Sequence, residues 1–105
     1  MVEESELARR SAAGDAEAFG TLFERYAGDV YRLARSMGHV GEEAEDVMQD
    51  TFLAAFESVF RFEGRSSFKT WLFAILFRQS SRRHRYQVRR KMEVYDESDA
   101  APTNG

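Results

Sequence analysis

The spacing of apolar side chains, in a chain whose only proline is Pro102, constrains the fold of these 105 residues most strongly. Apolar residues recur every three or four positions, and strand-like alternation of apolar and polar residues is absent. In the longest regular stretch they mark one side of a helix: Phe19, Leu22, Phe23, Tyr26, Val30, Leu33, Ala34 and Met37. The pattern predicts an all-α fold.

Turn and cap signals divide the chain into four predicted helices. Gly14 and Gly38 are suited to end the first two helices, and Asp15 is a good N-cap for the second. Ser66 or Ser67 is predicted to cap the fourth helix. The predicted ranges are 5–13, 16–37, 41–60 and from 68 to beyond 90. We therefore predict one compact domain over residues 1–94, followed by an acidic, disordered linker over residues 95–105.

The composition argues against several classes of protein. The chain has no cysteine, which excludes disulfides and thiolate metal sites. Its longest apolar run, residues 71–77, is far shorter than the roughly 20 residues that cross a bilayer. His39 and His84 are isolated from any recognisable metal or triad spacing. We therefore expect a soluble, cytoplasmic protein without membrane insertion, catalysis, metal or cofactor.

Charge is distributed very unevenly along this chain of net charge −3. Residues 1–63 hold 14 acidic and 6 basic side chains, a balance of −8. Residues 64–91 hold 9 basic side chains and no acidic one. Such polarity suggests two different partners, one basic and one acidic, although basic runs are often only solvated helix faces.

The third predicted helix has an exposed side that we call the acidic face. At about 100° per residue, the opposite side points to the core; it carries Ala44, Val47, Met48, Thr51, Phe52, Ala55 and Val59. The acidic face consists of Asp46, Gln49, Asp50, Leu53 and Glu57. A lone exposed leucine is normal, but one among acids also fits a docking patch for a basic helix. The spacing leaves both interpretations open.

The fourth predicted helix changes from apolar to basic along its length. Its beginning, residues 71–77, is apolar nearly all round and is expected to be mostly buried. Further on, one line of the helix carries Arg78, Arg82, Arg85 and Arg89, which we call the arginine stripe. Arginine grips phosphates and stacks on bases, so the stripe suits a nucleic-acid backbone. Trp71 lies on the same line, although spacing alone favours a core tryptophan.

Two consecutive motifs of the chain resemble conserved region 2 of bacterial RNA polymerase sigma factors, especially the extracytoplasmic-function (ECF) group. The first, DVMQDTF at residues 46–52, is similar to the family pattern D-L-V-Q-E-T-F. The second, FEGRSSFKTWL at residues 62–72, is similar to F-x-G-x-S-x-F-x-T-W-L. A leading segment at residues 13–34 also matches, and the resemblance covers roughly residues 5–91.

The resemblance implies a four-helix promoter-recognition domain rather than an enzyme. Its third helix would dock on the clamp helices of the β′ subunit of core RNA polymerase. By position, Asp46, Gln49 and Asp50 correspond to the family's polymerase contacts, and Leu53 and Glu57 share their face.

The resemblance also implies a DNA-binding surface. The loop at residues 62–68 corresponds to the family's specificity loop, which captures a base flipped out of the non-template strand of the promoter −10 element. The start of the fourth helix would meet the upstream edge of the opened DNA, and its basic end would hold the backbone. The implied DNA-binding residues are Phe62, Gly64, Arg65, Ser66, Ser67, Phe68, Lys69, Trp71, Arg78, Arg82, Arg85 and Arg89.

Two departures from the family pattern affect these expectations. Arg78 stands where the family usually has asparagine, and Arg82 where an aspartate is frequent. Arginine cannot accept hydrogen bonds, so base reading there must differ or give way to phosphate contact. The family's second DNA-binding domain is missing, which suggests a fragment of a longer sigma factor. Because anti-sigma proteins cover these faces in many members, such a protein is a candidate partner.

Two alternative functions remain open at the level of sequence. One is a general helical nucleic-acid binder that does not bind polymerase, and the acidic face argues against it. The other is a protein-interaction module whose basic helix binds an acidic partner. The glycine–serine loop followed by Phe68 and Trp71 argues against this second alternative.

Overall fold

The computed structural model describes the backbone of residues 3–100 and the side chains of residues 3–93. Within the described backbone the chain forms four α-helices and one 3₁₀ turn, without a strand. The elements are α1 (Glu4–Ala12), α2 (Ala16–Ser36), α3 (Glu42–Ser58), the 3₁₀ turn (Val59–Arg61) and α4 (Phe68–Ala100). The predicted all-α, four-helix architecture is confirmed.

Local sequence signals set the helix boundaries. Asp15 Oδ1 accepts a hydrogen bond from the Ala18 backbone N–H at 3.0 Å, which caps α2. Ser67, rather than Ser66, caps α4, because its Oγ accepts from the Thr70 N–H at 3.1 Å. Gly38 follows α2 with φ of +101°, a conformation that glycine adopts without the penalty that a Cβ brings.

Two boundaries differ from the sequence-based expectation. The α-helix of α3 ends at Ser58, and the last predicted residues tighten into the 3₁₀ turn. The backbone of α4 continues to Ala100 and so overlaps residues 95–100 of the predicted linker. No glycine or proline lies between Arg65 and Ala100 to interrupt it. The rest of that linker, residues 101–105, lies outside the described residues.

Side chains from all four helices meet in one core. α1 packs on α2, while α3 packs on both α2 and α4. The largest fully buried side chains are Phe19, Phe68, Leu22, Leu72, Ile75, Leu76, His39, Val30, Val47 and Thr51. Complete burial of a leucine or phenylalanine contributes about 1.5–3 kcal/mol. This core holds the exposed sides of α3 and α4 in fixed positions.

The apolar beginning of α4 is buried on one side only. Leu72, Ile75 and Leu76 lie in the core, whereas Phe77 is 49% exposed and Trp71 is half-buried. The expectation that this segment is mostly buried therefore fails at Ala74 and Phe77, because both lie on the side of α4 that faces away from the core. None of the helices in the described part of the chain combines the length and apolar character that crossing a membrane requires.

Candidate functional site

The acidic face of α3 is exposed, as predicted. Asp46, Gln49, Asp50, Leu53 and Glu57 all point to solvent, with Leu53 exposed at 56%. On the other side of the helix, Ala44, Val47, Thr51 and Ala55 are buried. The helical period of α3 thus places the acidic face in solvent and the apolar residues in the core.

Leu53 is not an isolated apolar residue. It lines an open apolar groove of about 270 Å³ together with Phe23, Met48, Gln49 and Phe52. Phe23 and Phe52 form its floor with their rings edge-to-face at a centroid distance of 4.6 Å. Acidic side chains next to an apolar groove are the composition expected where a basic, amphipathic helix docks.

The acidic face also contacts the basic helix of the same molecule. Arg83 Nη2 lies 3.4 Å from Asp50 Oδ2, and the two side chains are 28% and 48% exposed. A partly exposed pair at this distance contributes little to stability. The contact directs Arg83 to α3.

The loop between the 3₁₀ turn and α4 is held by aromatic packing at both of its ends. The Phe62 ring packs on Phe68 and Trp71 at centroid distances of 6.0 and 5.4 Å. Between these anchors Gly64 has φ of +77°, and Arg65, Ser66 and Ser67 are exposed. The loop therefore presents polar side chains from a rigid base.

Not every residue assigned to DNA binding is accessible. Phe68 is 1% exposed, so it is placed to hold the loop rather than to contact a ligand. Trp71 is half-buried and packs on Phe68 at 5.5 Å, which leaves one part of its ring at the surface. Lys69 is exposed, with its Nζ 5.5 Å from the centroid of the Phe73 ring.

A second groove, of about 300 Å³, separates α1 from this loop, and we call it the α1–loop groove. One wall comes from α1 and consists of Glu4, Ser5, Ala8, Arg9 and Ala12. The other comes from the loop and consists of Phe62, Glu63, Gly64, Ser66, Ser67 and Phe68. Only the loop wall was predicted from the sequence.

The arginine stripe is exposed along its whole length. Arg78, Arg82, Arg85 and Arg89 all point to solvent. A shallow depression of about 510 Å³ runs beside it and is lined by Asp50, Gln79, Arg82, Arg83, Arg85, Tyr86 and Arg89. Asp50 partly balances Arg83, and the three stripe arginines make this depression positive and suited to phosphates.

Comparison with known proteins identifies the family. A family model described as sigma-70 region 2 matches residues 22–90, more than half of the chain. The chain belongs to the sigma-70 region 2 family. The RNA polymerase sigma factor NccH of Alcaligenes xylosoxydans xylosoxydans is 42% identical over 69 residues, which are 66% of this chain and 37% of NccH. The ECF RNA polymerase sigma factor SigW of Bacillus subtilis is 32% identical over 93 residues, 88% of this chain and 48% of SigW.

These relatives confirm the resemblance to ECF sigma factors, and the chain spans less than half of their length. Sigma factors are transcription initiation factors, not enzymes. Among solved structures, an engineered region 2 of sigmaE in complex with GTAAAA superposes with a TM-score of 0.78 at 28% identity, covering 85% of this chain and 93% of that one. CnrH in complex with the cytosolic domain of CnrY gives 0.72 at 29%, covering 97% and 68%.

A buried polar cluster, which was not predicted from the sequence, joins three parts of this sigma region 2 domain. His39 follows α2, and its side chain is completely buried. Its Nε2 lies 2.8 Å from Ser80 Oγ on α4, and its Nδ1 lies 3.2 Å from Glu43 Oε1 on α3. The ring stacks on His84 at 4.6 Å. The only signal in the sequence was a histidine directly before the acidic start of α3.

Glu43 is the charged member of this cluster. Burial alone would raise the pKa of its carboxyl, but the hydrogen bond from Gln87 and the nearby side chains of His39 and Arg83 hold that pKa below its usual value. The cluster therefore favours an ionised Glu43 and connects the first turn of α3 to α4.

The contribution of α1 was also missed. Its sequence carries no family motif, and residues 4–12 lie outside the range that the family model matches. A groove between two elements depends on how they pack, which neither a motif nor a helical period reports.

Proposed function

We propose that this domain docks on core RNA polymerase through the acidic face and captures the non-template strand of the promoter −10 element with its loop and arginine stripe. The observation that carries the proposal is the separation of charge on an ordered fold. The acidic face and the arginine stripe belong to different helices, and both are exposed. A protein that bridges a basic protein surface and DNA in the cytoplasm needs this arrangement.

Docking on polymerase is supported by the composition of α3. The acidic face offers carboxylates for a basic partner, and the neighbouring groove offers apolar area around Leu53. By resemblance, the partner is the pair of clamp helices of the β′ subunit. The same surface would suit an anti-sigma protein, and the structural relative CnrH is in complex with the cytosolic domain of CnrY.

Strand capture is supported by the loop and by the charge of α4. The exposed loop residues stand beside a groove with an aromatic floor, which can receive an unstacked base. The arginine stripe then offers phosphate contacts further along α4. The structural relative derived from sigmaE is in complex with the short sequence GTAAAA.

The arginines at positions 78 and 82 favour contact with the phosphate backbone of DNA over recognition of its bases. Both are exposed, and arginine donates hydrogen bonds but accepts none. We therefore assign sequence preference to the loop and affinity to the stripe.

A pull-down of core RNA polymerase tests the docking surface. The double change Asp46→Arg and Glu57→Arg reverses the charge of the acidic face and leaves the Asp50–Arg83 pair in place. We expect it to abolish polymerase capture, while the free energy of unfolding changes by only about 0.5 kcal/mol per site because both side chains are exposed.

Glu24→Arg is the matched control, since Glu24 is an exposed acid on α2 outside the acidic face. It should capture polymerase as the unmodified domain does. Unchanged capture by the double variant, with an unchanged circular dichroism spectrum, would refute the docking assignment.

A further inference from the structure

The residues that line the α1–loop groove limit which base it can accept. Its lining is largely apolar, with the half-buried Phe62 as the accessible aromatic ring, and this suits the face of a nucleobase. Its polar groups decide which base edge fits. Two of them, Glu4 on α1 and Glu63 on the loop, are carboxylates, which only accept hydrogen bonds when ionised.

Glu4 is held in position by a neighbour on α2. The Tyr26 hydroxyl donates to Glu4 Oε1, and the Tyr26 ring packs on Phe68 at a centroid distance of 6.2 Å. The hydrogen bond to Glu4, together with partial burial, raises the pKa of Tyr26 to about 12, so this hydroxyl remains a donor. The other oxygen of Glu4 makes no hydrogen bond to the described residues, which leaves one oriented acceptor.

The serine hydroxyls that line the groove, and part of the Arg9 guanidinium, donate hydrogen bonds within the chain. Ser5 donates to Glu3 at 2.8 Å, Ser66 to the Ser67 carbonyl at 3.1 Å, and Ser67 to Thr70 at 3.0 Å. Arg9 makes two hydrogen bonds to Glu6, at 3.1 and 2.6 Å. Glu63 is balanced by Arg65 at 2.9 Å, and both of these side chains are highly exposed. Glu4 is therefore the best-positioned polar group for a base in this groove.

We infer that the α1–loop groove selects an unpaired base that carries an exocyclic amino group, and that Glu4 accepts a hydrogen bond from this amino group. The inference rests on the proposed function, because it concerns the base that the loop captures. Adenine and cytosine present such a group beside a ring acceptor, and guanine presents one beside a ring N–H. Thymine has no amino group. Its only ring N–H lies between two carbonyl oxygens, and a carboxylate repels these oxygens. Glu4 thereby becomes a specificity-determining residue outside the family-matched range.

The test uses ligands that differ only in the amino group. Fluorescence anisotropy measures binding of labelled hexadeoxyadenylate, in which each adenine in turn is replaced by 2′-deoxynebularine, a purine nucleoside without the amino group. We expect one position where the replacement weakens binding by about tenfold or more. In Glu4→Gln, the amide oxygen would keep the Tyr26 bond and its NH₂ would face the base, so the penalty at that position should disappear.

Two further variants complete the design. Tyr26→Phe removes the donor that orients Glu4 and should reduce the penalty while Glu4 remains. Glu24→Gln, on the exposed side of α2, should retain the full penalty. If the domain binds the strand but every variant shows the same pattern of penalties, or no position shows one, the inference about Glu4 is overturned and strand capture stands. If the unmodified domain does not bind the strand, the proposed function itself fails.

Discussion

At the scale of single residues, His39 shows how a polar side chain can hold helices together. It is completely buried, and its two ring nitrogens approach Ser80 on α4 and Glu43 on α3. A buried polar group is tolerated only when it has such partners. Ser80 is 41 positions away in the sequence, so no local pattern could have indicated this contact.

Glu43 should make the stability of the domain depend on pH. Its pKa is lower in the folded protein than the usual value of 4.5. The stabilisation is therefore fully present above that value and is lost as the pH falls through the lower, folded-state pKa. We expect urea denaturation to show a steeper loss of stability below about pH 4.5 in the unmodified domain than in Glu43→Gln.

Glu45→Gln is the control for this measurement, because Glu45 is an exposed neighbour on α3. Its pH profile should follow that of the unmodified domain. Parallel profiles for Glu43→Gln and the unmodified domain would show that the buried cluster does not favour the ionised carboxylate.

At the scale of elements, the sequence was informative wherever the determining contacts are local. The cap at Asp15, the end of α2 before Gly38 and the period of the acidic face were all predicted, because each depends on residues within a few positions. The Asp50–Arg83 contact and the α1–loop groove were not predicted. They depend on the angle and register at which whole helices pack, and these follow from the shapes of many buried side chains.

The arginine stripe should contribute affinity without sequence preference. Arg82→Ala and Arg89→Ala each remove an exposed cation that we assign to a phosphate. We expect each change to weaken single-strand binding about equally for all sequences and to reduce the salt dependence by about 0.7 in the logarithmic slope. Anisotropy titrations over a range of salt concentrations measure both effects.

Arg35→Ala, which removes an exposed arginine on α2, provides the comparison. It should leave the slope unchanged. A loss of affinity that depends on the sequence of the strand, or an equal effect of Arg35→Ala, would contradict the division of roles between loop and stripe.

At the scale of the whole molecule, the charge distribution limits how DNA can bind. Residues 1–63 have a balance of −8, and residues 64–91 have nine basic side chains. The acidic part repels DNA within a Debye length of roughly 8 Å at physiological salt. The stripe is one edge of one helix and lacks the paired-helix geometry that places a reader in the major groove. The isolated domain should therefore bind DNA weakly, and polymerase would supply the second contact with the DNA.

The most direct test of the account compares the two states of the promoter −10 element. Fluorescence anisotropy at one moderate salt concentration measures binding of a labelled non-template strand and of the same strand paired with its complement. We expect tighter binding of the single strand. In the duplex, extruding a base before the loop can hold it costs a few kcal/mol. Equal or tighter binding of the duplex would contradict strand capture and indicate an electrostatic DNA binder.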